Sequence, residues 1–208
     1  WFKAEGLGDY VLATTVLSFF TLLAKIGLDT TSIRFISSFA SQSTWTSISY
    51  FWIRVVLILF CTSIVTSVLM YLLANPIADI INAKVEYIEL NAFFVLPLAF
   101  FILHYQSLRG LKRIAEFSFF YRISTALFTV IIITVIYQFK QGSEVPIYAY
   151  LSSLLIVSCL AFLSFQYWFK KRLEGQESAE KEVMSYSTLL KISTPLMLAQ
   201  SVQYIMAW

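Results

Sequence analysis

Charge is what this sequence has least of. Only 13% of its 208 residues are Asp, Glu, Lys or Arg, whereas a soluble domain carries about 25%. A chain this poor in charge does not read as a soluble domain. Histidine occurs once, as His104, and cysteine twice, as Cys61 and Cys159. Both cysteines fall inside apolar runs, where a small, weakly polar side chain packs readily, so neither a disulfide nor a metal site is expected. The six glycines form no phosphate-cradling loop, and no Ser/His/Asp spacing stands out. The reading is therefore of a protein that is not an enzyme and has no organic or metal cofactor.

What the chain has in excess is apolar length. Hydrophobic residues make up 59% of it and its mean hydropathy is +0.75. Five successive runs of roughly 18 or more mainly apolar residues match what an α-helix needs to cross about 30 Å of hydrocarbon. Barrel strands would instead show segments of about 10 residues alternating in polarity. The expected fold class is all-α, a polytopic transmembrane helical bundle with about five complete spans and the start of a sixth.

The spans read as residues 10–28, 48–74, 91–108, 117–139 and 146–169, with a sixth opening near 189. A Ser/Thr-rich stretch, 29–47, reads as a polar connection at the interface. The second span ends at Asn75-Pro76, because proline removes a backbone donor and restricts the residue before it. Residues 77–90 mix Asp79, Lys84, Glu86 and Glu89 with isoleucines and read as an amphipathic segment lying along the interface. Pro97 predicts a kink in the third span. The fifth closes on Tyr167-Trp168-Phe169-Lys170-Lys171-Arg172, an aromatic belt with a cationic flank. Residues 173–188 are the most hydrophilic part and read as a connector.

Threading the chain through five spans places twelve of the fifteen basic residues on one side and leaves Lys3, Lys84 and Lys140 on the other. The excess of Lys and Arg marks the first side as cytoplasmic. The first span then runs from outside to inside, which calls for an odd number of spans before it. Together with the Trp1-Phe2-Lys3 start and a sixth span cut at Trp208, that parity describes a piece of a longer protein.

Charges within apolar spans are expensive and usually face a bundle interior or a water-filled cavity. Lys25, Arg54 and Arg122 are placed this way, with Arg54 and Arg122 deepest, and Arg34 and Arg109 near the membrane edge. Together they would make a cationic vestibule suited to a phosphate, since guanidinium matches phosphate oxygens in bidentate geometry. Alternatively, each side chain snorkels to lipid phosphates and sets topology. His104 is either a proton relay or a packed residue. Pro97 and Pro195 are candidate hinges, as in transporters with broken helices, although proline is also simply common in membrane helices.

Gly6-Leu7-Gly8-Asp9-Tyr10 and Leu23-Ala24-Lys25-Ile26-Gly27-Leu28-Asp29-Thr30-Thr31-Ser32-Ile33-Arg34-Phe35 resemble the corresponding segments of polysaccharide and O-antigen flippases. These belong to the multidrug, oligosaccharidyl-lipid and polysaccharide exporter superfamily. Gln106-Ser107-Leu108-Arg109-Gly110-Leu111-Lys112-Arg113 and Leu189-Leu190-Lys191-Ile192-Ser193-Thr194-Pro195-Leu196 look similar too. The resemblance implies two six-helix bundles, with residues 1–172 holding family helices two to six, 173–188 a cytoplasmic connector and 189–208 the start of the second bundle.

It further implies a bacterial inner-membrane transporter that flips an undecaprenyl-pyrophosphate-linked oligosaccharide by alternating access. Lys25, Arg34, Arg54 and Arg122 would screen the pyrophosphate. Its partners would be the lipid-linked oligosaccharide, membrane lipids and polysaccharide polymerase or assembly proteins, with no nucleic acid. A coupling ion, H⁺ or Na⁺, is left open. One rival is a cation-coupled multidrug exporter of the same superfamily, which needs a membrane-embedded carboxylate, whereas all twelve Asp and Glu residues read as lying at span ends or in connections. Another is a membrane glycan polymerase or ligase, which needs a large outer loop bearing catalytic Arg or His.

Overall fold

The computed structural model describes residues 4–139, 142, 144–173 and 185–206. The described residues form ten α-helices and no strand: α1 Ala4–Lys25, α2 Leu28–Ser41, α3 Trp45–Leu72, α4 Ala74–Ile81, α5 Val85–Ala92, α6 Val95–Gly110, α7 Ile114–Ser118, α8 Thr125–Phe139, α9 Val145–Leu173 and α10 Tyr186–Met206. A π-helical segment, Phe119–Ser124, joins α7 to α8. Most of the connector expected over 173–188 lies outside the described residues, as do Lys3, Lys140 and Lys181.

Four helical stretches are long and apolar enough to cross a membrane: Gly6–Lys25, Trp45–Leu72, Ile114–Phe139 and Val145–Arg172. The pair α5 and α6 makes a fifth if its 50° bend is counted within one span. Large apolar side chains stay exposed along α3 and α8, among them Leu57, Val65, Leu72, Val130 and Val135. Apolar bands of that extent do not face water in soluble proteins. The chain is an all-α polytopic membrane bundle.

Helix α6 stands at the centre, packed against α1, α2, α3 and α9. Helix α8 packs on α9 at one flank, and α10 packs on α1 and α2 at another. Lipid tails are as apolar as leucine, so packing and interhelical hydrogen bonds hold such bundles together. Ser67 Oγ donates to Ala92 O at 2.7 Å, Ser158 Oγ to Pro97 O at 3.3 Å, and the hydroxyls of Thr129 and Ser153 lie 2.7 Å apart. At the other end of α1, Lys84 Nζ pairs with Asp9 at 3.0 Å.

Proline placement accounts for two breaks. The residues four before Pro76 and Pro97 are Leu72 and Phe93, where α3 ends and where α5 and α6 part. Those are the carbonyls a proline ring displaces in a continuing helix. The kink expected at Pro97 thus lies one turn upstream, between α5 and α6. Helix α4 has the amphipathic character expected for this region, with Ala74 and Ala78 buried and Asn75 and Asp79 exposed.

The stretch 29–47 corrects the sequence reading. It is not an interfacial connection, because most of it is helix α2, which contacts α6, α3 and α10. Its buried residues Leu28, Thr31, Ser32, Ile36 and Phe39 recur at helical spacing. The two cysteines are free, and they are exposed on the helix surface rather than packed inside it.

Candidate functional site

The site is built on the break between α1 and α2. Ile26 and Gly27 take positive φ values of 46° and 73°. A β-branched residue is a true outlier there, whereas glycine occupies the region without a Cβ clash. The break lies deep along the bundle, since Thr62 Oγ1 donates to Ala24 O at 2.7 Å. Thr62 is the eighteenth of the 28 residues of α3, about 26 Å from its start at 1.5 Å per residue.

Two charges meet across this break. Lys25 Nζ lies 2.8 Å from Asp29 Oδ2, with side-chain exposures of 11% and 3%. Gln200 of α10 donates from Nε2 to Thr30 Oγ1 at 2.7 Å and stands 3.3 Å from Asp29 Oδ1. The Thr31 and Ser193 hydroxyls lie 2.9 Å apart. A polar cluster thus ties α10 to the break, and its charges neutralise one another, as burial in a low-dielectric interior requires. The expectation that every acidic residue lies at a span end or in a connection fails at Asp29, which sits inside the bundle at 2% exposure.

Beyond the break, α2 turns a hydrophilic face outward. Arg34, Ser38 and Ser41 are exposed and Ser37 is half-buried, while the opposite face carries Ile36 and Phe39 into the core. Arg34 is an accessible cation five residues beyond Asp29 on the same helix, about 7.5 Å along its axis. Arg54 is half-buried on α3, its guanidinium carbon 5.0 Å from the Tyr186 ring centre at the start of α10.

Arg122 is exposed in the π-helical segment, 5.6 Å from the Tyr121 ring centre. That segment packs with α7, α8 and α9, whereas α10 packs with α1 and α2. Lys25 therefore stands at the break that α10 packs on and Arg54 beside the start of α10, whereas Arg122 belongs to the flank of α7, α8 and α9. Lys25 and Arg54 are half-buried, and Arg34 and Arg122 are exposed. Arg109 is exposed at the end of α6, 5.3 Å from the Phe117 ring centre.

His104 is packed rather than poised. It is 3% exposed, Nδ1 lies 2.6 Å from Phe100 O, and Trp52, Phe162 and Phe165 surround its ring at centroid distances of 5.3–5.9 Å. Pro97 stands in the first turn of α6, where a missing N–H costs little. Pro195 lies inside α10, two residues after the Ser193 that meets Thr31.

Asp29, Thr31, Ser193 and Gln200 are the site residues that reading the sequence missed. A signal was present for one of them, because Lys25 and Asp29 stand four apart, the spacing of a helical ion pair. Compared with known families, curated proteins and solved structures, the chain matches none.

Proposed function

We propose that this chain is part of a transporter that moves an undecaprenyl-pyrophosphate-linked oligosaccharide from the inner to the outer leaflet of a bacterial plasma membrane. The observation that carries the reading is the hydrophilic face of α2, where Arg34, Ser38 and Ser41 are exposed and Ser37 is half-buried, in a bundle whose α3 and α8 turn large apolar side chains outward. A polar helix face inside a membrane protein lines a water-filled path or meets a polar partner. Hydroxyls suit a glycan, and Arg34 suits a pyrophosphate.

The break between α1 and α2 and the 50° bend between α5 and α6 are the kind of interruption around which transporters build their sites. Alternating access would use these breaks, with Pro97 and Pro195 at hinge positions. The basic ends of α6 and α9 would face the cytoplasm under the positive-inside rule. No covalent step is assigned to the protein itself.

Asp29 favours a second reading, a cation-coupled exporter of the same superfamily, because a buried carboxylate is what H⁺ or Na⁺ coupling uses. Complementation of a flippase-deficient strain with the gene encoding this chain tests both readings, scoring surface polysaccharide at matched membrane abundance. The flippase reading expects rescue by wild type and loss with Arg34→Ala. Rescue that persists in Arg34→Ala removes the pyrophosphate role, and absence of wild-type rescue together with Asp29-dependent drug efflux selects the exporter.

A further inference from the structure

Helices α2 and α6 end in the same way. After α2, Ser43 takes φ 59° and the Thr44 N–H donates to Phe39 O at 3.0 Å; after α6, Lys112 takes φ 60° and the Arg113 N–H donates to Leu108 O at 2.9 Å. Each left-handed residue closes a six-to-one hydrogen bond that satisfies a terminal carbonyl and turns the chain sharply aside. Beside the end of α9, these two turns enclose a cavity of about 250 Å³ whose lining includes Trp45, Lys112, Arg113, Trp168 and Arg172.

Three of those five side chains are cations, and no Asp or Glu among the described residues lines the cavity. Lys112, Arg113 and Arg172 form no ion pair with any described residue. The Arg113 guanidinium carbon lies 3.0 Å from the Trp168 ring centre. Stacking fixes the guanidinium plane and leaves its N–H edge to donate.

The Trp45 side chain completes the same wall. Trp45 is 8% exposed, and its indole Nε1–H is buried without an acceptor. Native proteins rarely leave such a donor unpaired. Trp45 also opens α3, whose N-cap Thr44 makes no side-chain cap. The uncapped amides and the positive end of the helix dipole therefore stand at this corner as well.

We infer that this cavity binds a phosphate group, carried by an anionic phospholipid headgroup or by a soluble phosphate compound. Two guanidinium groups and an ammonium supply donors of the kind phosphate oxygens accept, with no carboxylate among the described lining residues to oppose them. The neighbouring Tyr167 and Trp168, followed by Lys170 and Lys171, set the cavity at the depth of lipid headgroups. The site shares no residue with the α1–α2 break and does not depend on the transport reading.

The test is native mass spectrometry of the purified protein in neutral detergent, offered phosphatidylglycerol and phosphatidylcholine in equal amounts. Wild type should retain phosphatidylglycerol in about tenfold preference, and Arg113→Gln or Arg172→Gln should each weaken retention about tenfold, the size of one charge-assisted hydrogen bond. Lys112→Gly removes a charge while relieving a left-handed backbone, so its loss of retention would not come from misfolding. Lys170→Gln should change nothing, because Lys170 is exposed on the same helix end outside the cavity.

Displacement of phosphatidylglycerol by inorganic phosphate would identify a soluble phosphate compound as the occupant. A preference that survives inorganic phosphate would identify the lipid headgroup. Equal retention of the two lipids, or a Lys170→Gln loss equal to that of Arg172→Gln, would overturn the proposal.

Discussion

Gly27 meets the backbone of α10 at Ser193: a Cβ built on the glycine would lie 2.4 Å from Ser193 O and 2.8 Å from Met197 N. No side-chain movement relieves a clash with backbone, and φ 73° adds a second penalty. Gly27→Ala should therefore cost about 1–2 kcal/mol for the left-handed conformation and a further ~1–3 kcal/mol for overpacking. It should also push α10 away. Thermal unfolding in detergent reads the first effect. Disulfide trapping of Thr31→Cys with Ser193→Cys, in a background lacking Cys61 and Cys159, reads the second. Unchanged melting and full trapping in Gly27→Ala would disprove the close approach.

Lys25 and Asp29 neutralise each other deep in the bundle, so removing either strands the other. Lys25→Met and Asp29→Leu should each destabilise the protein by about 3–5 kcal/mol, as happens when one partner of a buried pair is lost. The double variant should recover most of that loss. Unfolding of the two singles and the double gives the cycle directly. Additive losses would mean that the charges do not depend on each other.

Pro97 places the bend between α5 and α6 at Phe93, one turn upstream. Pro97→Ala restores the amide that Phe93 O lacks and should straighten the pair, although Ser67 still holds Ala92 O at 2.7 Å. Spin labels at the exposed positions Glu86 and Arg109 should then move apart by about 3 Å, from the 1.5 Å rise per residue. An unchanged distance would assign the bend to packing rather than to the proline.

The apolar spans were legible because bilayer thickness sets a minimum length for a run such as Trp45–Leu72. Pro76 and Pro97 marked breaks because their geometry forbids a continuous helix. Helix α2 was not legible as part of the bundle. Thr30, Thr31, Ser32, Ser37 and Ser38 made it look like a connection, whereas in membrane bundles small hydroxyl side chains are packing residues. Misreading α2 hid Asp29, since a carboxylate placed in a loop raises no question. The cavity beside Trp45 was out of reach for a different reason: it joins residues from 45 to 172 through tertiary packing, and no local pattern announces that.

The account turns on whether α2 shows a wetted polar surface. In the background lacking native cysteines, Ser38→Cys on α2 and Val65→Cys on the apolar face of α3 would be exposed in intact cells and inside-out vesicles to a membrane-impermeant thiol reagent. Both positions are exposed in the structure. The account predicts that the cysteine at position 38 is modified, is protected by a polyprenyl pyrophosphate, and that the one at 65 stays inert. Equal inertness at the two positions, from both sides of the membrane, would contradict it.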